Sequence, residues 1–187
     1  RIKRLKKGLM QELLTRGIGH KEFKDTKIGR IPKEWKVVKL GEIAKLETGG
    51  TPSRQKAEYW TNGTIPWVKS GELNDEIISD TEEKITELGL KHSNAKIFPK
   101  GTLLIALYGR GTVSKTGILG IDAATNQAVC AIIPKNNTFI PRFVQQYLIY
   151  CRKRILNQLV NPSSDVGRTN IYVSSLSLLR IPVPSLL

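Results

Sequence analysis

Residues 100–134 constrain the fold more than any other part of the sequence. They read KGTLLIALYGRGTVSKTGILGIDAATNQAVCAIIP, with an apolar run, a glycine-broken loop, and two further apolar runs separated by a polar segment. Short apolar runs joined by turns are typical of neighbouring strands in a sheet. The loop holds two cations, Arg110 and Lys115, and no carboxylate, Cys or His. Its hydroxyl groups belong to Tyr108, Thr112, Ser114 and Thr116. This chemistry suits holding phosphates and base edges better than breaking bonds.

Strand-like runs recur through the rest of the chain and predict a mixed α/β (α+β) fold. Most of them are joined by turns, so we expect a twisted, mostly antiparallel sheet packed with a few helices. Ser79 and Glu82 have capping-box spacing, which predicts a short helix through Leu88. Pro141 begins a longer helix, in which apolar residues recur at helical spacing as far as Leu159. Further strands are predicted at residues 35–40, 65–68, 97–108, 118–121, 128–134, 171–173 and 178–183.

The first 16 residues have the pattern of an amphipathic helix that protrudes from this fold. Ile2, Leu5, Leu9 and Leu13 form one stripe, with Met10 and Leu14 alongside, and Gly17 ends the helix. A lone helix of this length is marginal in water, so the stripe requires a partner helix or the body of the domain. The glycine-containing, polar segment that follows, up to Lys33, is interpreted as a connector.

The charge of the chain indicates a polyanionic partner. Thirty Lys and Arg residues against 16 Asp and Glu residues leave a net charge of +14 and a sequence pI near 9.9. Residues 1–33 contain 11 cations and three anions, and so supply +8 of this excess. Such an imbalance favours nucleic acid as the partner.

Cysteine use and hydropathy indicate a chain that works in the cytoplasm, away from membranes. Cys130 and Cys151 lie in apolar patterns and are predicted to be buried free thiols, as expected in a reducing compartment. No apolar run approaches the length of a membrane span, and the N-terminus does not read as a signal peptide. The chain starts at an Arg inside a helical pattern, so we expect it to be part of something longer.

Residues 109–116, GRGTVSKT, are one residue short of a phosphate-binding P-loop. A P-loop requires a helix that starts at the Lys, whereas the residues after Lys115 have a strand pattern. A phosphate- or nucleotide-binding enzyme built on this loop therefore stays as an alternative function. A second alternative is a basic RNA-binding domain, although the few aromatic residues do not predict base stacking on exposed strands. His20 and His92 have no acidic or thiol companions, and no metal or cofactor is predicted.

Several strings, taken together, identify a family. They are IPKEW (31–35), LGEIAKLETGGTPSR (40–54), YWTNGTIPWVKSGELND (59–75), TEEKITELGLKHSNAKIFPKGTLLIALYG (81–109), AATNQAVCAI (123–132), GRTNIYVSSL (167–176) and IPVP (181–184). In this order they resemble a target recognition domain of the specificity subunit of type I restriction–modification enzymes. Residues 1–30 resemble the end of that family's conserved spacer helix and its linker. The family's loop commonly reads YGATIGK where this chain has YGRGTVSK, at a place where recognition residues vary.

The resemblance implies a division of the chain and a set of partners. Residues 1–17 correspond to the end of a spacer helix, residues 18–34 to a linker and residues 35–187 to one target recognition domain. It implies a non-catalytic reader of double-stranded DNA that directs a methyltransferase subunit and a restriction subunit to a bipartite target. Ile2, Leu5, Leu9 and Leu13 would then face a second spacer helix or recognition domain.

Candidate DNA-contacting residues follow from side-chain chemistry on loops. Arg and Lys can contact guanine, Asn and Gln adenine, and Ser and Thr either base, and loops shaped by Gly or Pro can carry them into a groove. We expect Tyr59, Trp60 and Trp67 to form core around the NGTIPW turn instead of stacking on bases. The predicted DNA-binding set is Thr51, Ser53, Arg54, Lys69, Tyr108, Arg110, Thr112, Ser114, Lys115, Ser163, Ser164 and Arg168.

Overall fold

A five-stranded sheet lies at the centre of the fold, with smaller sheets and helices around it. The computed structural model describes residues 2–109, 111–162 and 169–184. The helices are α1 (Ile2–Thr15), α2 (Leu40–Ile43), α3 (Glu87–Lys91), α4 (Pro141–Tyr150), α5 (Arg152–Leu159) and α6 (Val173–Ser177). The strands are β1 (Phe23–Thr26), β2 (Gly29–Pro32), β3 (Lys36–Lys39), β4 (Ala44–Thr48), β5 (Ile65–Val68), β6 (Ile77–Ile78), β7 (Glu83–Ile85), β8 (Ile97–Phe98), β9 (Leu103–Ala106), β10 (Thr116–Leu119), β11 (Ala123–Thr125), β12 (Val129–Pro134), β13 (Val160–Pro162), β14 (Thr169–Ile171) and β15 (Arg180–Val183).

The strand pairings are mostly antiparallel. The central sheet has the order β4-β12-β9-β10-β6, and a second sheet has the order β7-β5-β11-β8. Among the pairings of described strands, the two parallel ones join β10 to β6 and β11 to β5. The predicted fold class, a mostly antiparallel sheet packed with a few helices, is confirmed.

Strand β9 separates two layers of core. All four of its residues are buried. Leu103 and Ile105 belong to one apolar cluster, together with α4 and α5, while Leu104 and Ala106 belong to another. Successive side chains of a strand point to opposite faces, so a continuous apolar run indicates a strand covered on both sides. This is why residues 103–106 read as an unbroken apolar segment in the sequence.

The helix predicted over residues 141–159 is two helices in the structure. Pro141 stands at the first turn of α4, where its missing N–H costs nothing. Cys151 interrupts the helix between α4 and α5. The same apolar face continues across the break, since Val144, Leu148 and Ile155 are all buried in one cluster. Cys130 and Cys151 are buried free thiols, as predicted, and burial raises their pKa to about 12 and about 11.

The short helix predicted through Leu88 from a cap at Ser79 is wrong. Residues 83–85 form β7, which pairs antiparallel with β5. The helix α3 begins only at Glu87, where the Thr86 hydroxyl caps it by accepting a hydrogen bond from the N–H of Gly89 at 3.1 Å. Ile85 is fully buried by the strand pairing, so tertiary packing overrides the local capping pattern.

Two other predicted strands are shorter or interrupted. The run at residues 97–108 divides into β8 and β9, with Gly101 between them at a positive φ of 88°. A residue with a side chain adopts this conformation only with strain, so the turn requires glycine. The run predicted at 171–173 ends at Ile171, because Val173 begins α6.

The apolar stripe predicted on α1 is divided between two surroundings. Leu14 is buried in the main cluster, and Met10 packs against it. Leu5, Leu9 and Leu13 instead are 66%, 55% and 46% exposed. The side chain of Ile2 lies outside the described residues. One edge of the stripe therefore docks α1 onto the body, and the other edge faces outward.

The segment between α1 and residue 35 contains a hairpin that sequence patterns did not predict. Strands β1 and β2 pair from Phe23↔Pro32 to Thr26↔Gly29. Ile31 and Trp35 are buried, and the Trp35 indole donates a hydrogen bond to His20 at 3.3 Å. None of the described helices combines the length and apolarity needed to cross a membrane.

Candidate nucleic-acid interface

Four loops meet at one end of the central sheet. β4 and β9 end there while β12 and β10 begin there, as the register Cys130↔Thr48, Val129↔Ala106 and Thr116↔Ile105 requires. The second sheet adds the end of β5, because the N–H of Asn126 bonds to the carbonyl of Val68 at 2.9 Å. We call these loops the rim loops. They comprise residues 49–54, 69–76, 107–115 and 126–128.

The 107–115 loop is tightly folded on its glycines. Gly109 and Gly111 have φ of 134° and 73°, and Ser114 also has a positive φ of 65°. A Cβ on Gly109 would lie 2.4 Å from the Thr112 hydroxyl and 3.1 Å from that of Ser70. The loop therefore packs closely against the turn at residues 69–72, and only glycine fits at position 109.

An Asp–Arg pair holds this loop by its main chain. Asp75 accepts hydrogen bonds from the N–H and the hydroxyl of Thr116, each at 3.0 Å. Arg152 of α5 donates to both carboxylate oxygens of Asp75 and, through Nε, to the carbonyl of Ser114 at 3.2 Å. Gln145 of α4 reaches the carbonyl of Asp75 at 3.4 Å. We call this arrangement the Asp75–Arg152 clamp.

Electrostatics favours the clamp in its ionised form. Burial acts to raise the pKa of Asp75, but the hydrogen bonds from Arg152 and Thr116 outweigh it and lower the pKa below its usual value. Both side chains are about one quarter exposed, so the pair is partly shielded from water. A bidentate Arg–carboxylate pair in such a place is directional as well as attractive. The clamp thus fixes where the loop enters β10.

The 49–54 loop is held by close backbone contacts. A Cβ on Gly49 would lie 1.9 Å from the carbonyl oxygen of Thr125, and one on Gly50 would lie 2.5 Å from the backbone of Asn94. These approaches are possible only without side chains. The Thr51 hydroxyl then donates to the amide oxygen of Gln127 at 2.5 Å. Gln127 is exposed at the rim, and this bond occupies its amide oxygen and none of its amide donors.

Two of the predicted DNA-binding cations share one carboxylate. Glu83 on β7 binds Arg54 through both oxygens and lies 3.1 Å from the ammonium of Lys69. Arg54 lowers the pKa of Glu83 most strongly, and with Lys69 it brings that pKa to about 2. The guanidinium also lies 3.6 Å from the ring centroid of Trp60, in cation–π geometry. Lys69 also forms an ion pair with Glu82 at 2.7 Å, so Arg54 and Lys69 are both already engaged by acidic side chains. Lys115, by contrast, makes no ion pair within the described part of the chain.

The remaining predicted residues have different surroundings. Ser53 is exposed, Tyr108 is half-buried, and burial raises the pKa of its hydroxyl. The Ser114 side chain is buried, and its hydroxyl, like that of Thr112, has no hydrogen-bond partner among the described residues. Arg110, Ser163, Ser164 and Arg168 lie outside the described residues.

Gln127, Asp75 and Arg152 were not predicted as part of this region. Gln127 could have been found, because it belongs to AATNQAVCAI and a glutamine can form two hydrogen bonds with adenine. Asp75 and Arg152 are 77 residues apart, and nothing in their local sequence indicates that they meet. Of the three aromatic residues predicted to form core, Tyr59 and Trp67 are 4% and 2% exposed, and Trp60 is partly buried and packs against the cluster that contains Trp67.

The P-loop alternative does not fit the geometry. The residues after Lys115 form strand β10, as the sequence pattern predicted, and not a helix whose N-terminus could face phosphate. Within the described ranges, no group of three or more His, Cys, Asp and Glu residues could hold a metal ion.

Comparison with known proteins places the whole arrangement in a family. A family model described as "Type I restriction modification DNA specificity domain" matches residues 32–186. The MjaIX type I restriction enzyme specificity subunit of Methanocaldococcus jannaschii is 37% identical over 169 residues, covering 88% of this chain and 37% of that protein. The EcoR124I/EcoR124II specificity subunit of Escherichia coli is 29% identical over 157 residues, covering 82% of this chain and 37% of that protein. The chain thus matches 37% of the length of each of these curated relatives.

Solved structures agree on the fold. The crystal structure of the HsdS subunit from Thermoanaerobacter tengcongensis matches with a TM-score of 0.64 at 18% identity, covering 97% of this chain and 39% of that one. A structure described in terms of complex assembly and conformational transition of the type I R-M system matches with a TM-score of 0.61 at 17% identity, covering 98% of this chain and 43% of that one. Because the family model spans most of its length, the chain belongs to the family of type I restriction modification DNA specificity domains.

Proposed function

We propose that this chain is a non-catalytic module that reads part of a double-stranded DNA target for a type I restriction–modification enzyme. The observation that carries the proposal is the convergence of four rim loops in a member of this family. Loops on a rigid sheet edge can enter a groove without disturbing the core beneath them. The net charge of +14 adds an attraction to phosphate that does not depend on sequence.

Within the rim loops, we propose a division of roles. Arg110 and Lys115 lie on the loop held by the clamp, and we assign base reading to Arg110 because its planar fork matches guanine. Lys115, a flexible point charge, is assigned to phosphate. Thr51 and Ser53 are assigned to contacts in a DNA groove, together with exposed Gln127. The predicted DNA contacts also include Tyr108, Thr112, Ser163, Ser164 and Arg168. Ser114 contributes through its main-chain carbonyl, which accepts a hydrogen bond from Arg152.

Arg54 and Lys69 are proposed to contact DNA only by exchanging one anionic partner for another. Arg54 is held by Glu83, and Lys69 is held by both Glu82 and Glu83, so a phosphate would have to replace these carboxylates. In the free chain their role is to shape the rim at residues 49–54 and 69–76. They are therefore weaker candidates for base reading than the loop at residues 107–115.

The proposed partners follow from the family. We propose that a methyltransferase subunit and a restriction subunit assemble with the protein that carries this chain, in the cytoplasm. A second spacer helix or recognition domain would cover Leu5, Leu9 and Leu13, which are exposed in the structure. Neither a cofactor nor a metal is needed for the proposed reading function.

Binding of the purified chain to duplex DNA, structured RNA and single strands tests this function. We expect duplex DNA to bind best, weakly, and with little sequence preference, because one domain engages half of a bipartite site. Each phosphate contact should contribute about −0.9 to the slope of log affinity against log salt concentration. Preferential binding of RNA, or an affinity for duplex DNA that does not change with salt concentration, would contradict the proposal.

A further inference from the structure

A cavity away from the rim loops is surrounded by arginines from three separate elements. It has a volume of about 310 Å³ and lies where α1, the β1–β2 hairpin and α4–α5 meet. Arg16 follows α1, Arg30 belongs to β2 and Arg154 belongs to α5. No Asp or Glu is among the described residues that line it. The remaining wall is apolar or carries neutral donors, including Leu14, Tyr147 and Tyr150.

Arg154 is the least solvated of the three cations. It is half-buried, and its guanidinium donates to the Tyr147 hydroxyl at 2.7 Å and to the carbonyl of Ile28 at 3.4 Å. Both acceptors are neutral. Burial raises the pKa of Tyr147 to about 12, so this hydroxyl keeps its proton at neutral pH and supplies no negative charge. Because these acceptors, its partners among the described residues, are neutral, the partly buried guanidinium retains unused donors and a charge that no described carboxylate balances.

Arg16 and Arg30 are exposed side chains that line the same cavity from the end of α1 and from β2. Their guanidinium carbons lie 5.9 Å and 5.7 Å from the centroid of the Phe23 ring, so both contact the same aromatic side chain. Arg16 has a partner in Glu12 at 3.2 Å, but that pair is exposed to solvent and Glu12 does not line the cavity. Three like charges on three elements repel one another, and this repulsion opposes the docking of α1 and the hairpin on α5.

We propose that this cavity is a binding site for a phosphate-type oxyanion, which Arg16, Arg30 and Arg154 hold together. Guanidinium forks match the tetrahedral oxygens of such an anion, and Tyr147 and Tyr150 can donate further hydrogen bonds. The bound anion would balance the three charges and join α1, the hairpin and α5 across one centre. Its source is either free phosphate or the backbone phosphate of a nucleic acid.

Phosphate titration of the 187-residue chain, by calorimetry at constant pH and ionic strength, tests the site. We expect saturable binding and a higher unfolding midpoint in phosphate than in chloride. Arg30→Gln removes one wall of the site and should weaken phosphate binding about tenfold, the size expected for one charged hydrogen bond. Arg16→Gln makes the same test on a separate element and replaces Arg30→Gln if that variant fails to fold.

Lys24→Gln is the matched control. Lys24 is an exposed cation of the same hairpin that does not line the cavity, so its loss changes the net charge equally. Phosphate also stabilises proteins generally by exclusion from their surface, and this effect would persist unchanged in both hairpin variants. The absence of saturable binding, or equal weakening by Arg30→Gln and Lys24→Gln, would overturn the proposal.

A competition with short duplex DNA separates the two sources. If DNA displaces phosphate, and Arg30→Gln weakens DNA binding while Lys24→Gln does not, the ligand is the nucleic-acid backbone. If phosphate binds with the same affinity in the presence of saturating DNA, the ligand is a free phosphate. Both results support an oxyanion site and assign its occupant.

Discussion

At the scale of single residues, Glu83 holds Arg54 and shares Lys69 with Glu82 at the rim. Its carboxylate binds Arg54 through both oxygens and also approaches Lys69. Sequence patterns identified Arg54 and Lys69 as available cations, but could not identify their partner. Glu83 meets them through the pairing of β7 with β5, in a segment whose pattern predicted a helix. Trp67 and Tyr59, by contrast, could be assigned to the core because large aromatic side chains on strands and turns are usually buried.

Glu83 should make stability depend on acidity. Its pKa is about 2 in the folded chain against an ordinary value of 4.5. Because this pKa is lower in the folded state, the ionised carboxylate stabilises the protein at pH values above its pKa in the unfolded chain. This contribution is lost as the pH falls from about 4.5 toward 2. We expect Glu83→Gln to be less stable than wild type at pH 6 and to lose less stability on acidification to pH 3, as measured by urea denaturation.

Glu76→Gln serves as the control for this acid effect, because Glu76 is an exposed carboxylate of the same rim. The stability of Glu76→Gln should fall on acidification in parallel with that of wild type. Parallel curves of unfolding free energy against pH for wild type and Glu83→Gln would mean that the ion pairs contribute nothing measurable to stability, which is common for exposed pairs.

Lys115 and Arg110 should affect DNA binding in different ways. In the assembled enzyme, Lys115→Ala should weaken cognate and scrambled duplexes equally and reduce the salt slope by about one. Arg110→Ala should cost about 1–3 kcal/mol on the cognate site and relax discrimination at one position. Lys100→Ala is the control, because Lys100 is an exposed cation at the opposite end of β9. If Arg110→Ala leaves the affinities for the cognate and the scrambled duplex unchanged, residues 49–54 and 161–169 become the leading candidates for base recognition.

At the scale of elements, the Asp75–Arg152 clamp joins the helical layer to the 107–115 loop. The loop could be located from sequence, because its glycines and flanking apolar strands are local signals. The clamp could not, because it depends on contacts between α5 and a turn far away in the chain. Local patterns were also insufficient between the predicted closing strands at 171–173 and 178–183, where they did not predict α6.

Loss of Arg152 should loosen the loop before it unfolds the domain. Arg152→Gln leaves Asp75 without its ionic partner, and because the pair is partly exposed we expect a loss of about 1–3 kcal/mol. Amide hydrogen exchange should accelerate at residues 111–116 more than in β9, and discrimination between cognate and scrambled DNA should decrease. Lys153→Gln, an exposed neighbour on the same helix, should change none of these. Uniform acceleration over the whole domain would assign Arg152 a purely structural role.

Helix α1 should have separable docking faces. Replacing Leu5 and Leu9 by Glu alters exposed positions, so we expect association of the chain to be lost while the stability of the body is kept. Leu14→Ala removes a buried side chain and should instead destabilise the body by about 2–5 kcal/mol. Analytical ultracentrifugation and urea denaturation measure the two effects. A wild-type chain that stays strictly monomeric at high concentration would contradict the first expectation.

At the scale of the whole molecule, composition and family resemblance predicted more than local patterns did. The net charge indicated nucleic acid, and the order of seven strings indicated the family that the comparison then established. The antiparallel character of the sheets followed from short strands joined by turns. The parallel pairings of β10 with β6 and β11 with β5 could not be predicted, because they join strands that are distant in the chain.

The clamp also bears on how a new target could arise. It grips the 107–115 loop through the carbonyl of Ser114 and the N–H and hydroxyl of Thr116, and none of these hydrogen bonds uses the side chain of Lys115. Exchange of the residues at positions 110 and 115 would leave these attachment points of the loop in place. New sequence preferences could therefore arise by substitution at these two positions, while the requirement for a stable fold acts on other residues, such as Asp75, Arg152 and Gly111 with its positive φ. A library randomised at positions 110 and 115 would sample new preferences on an unchanged backbone.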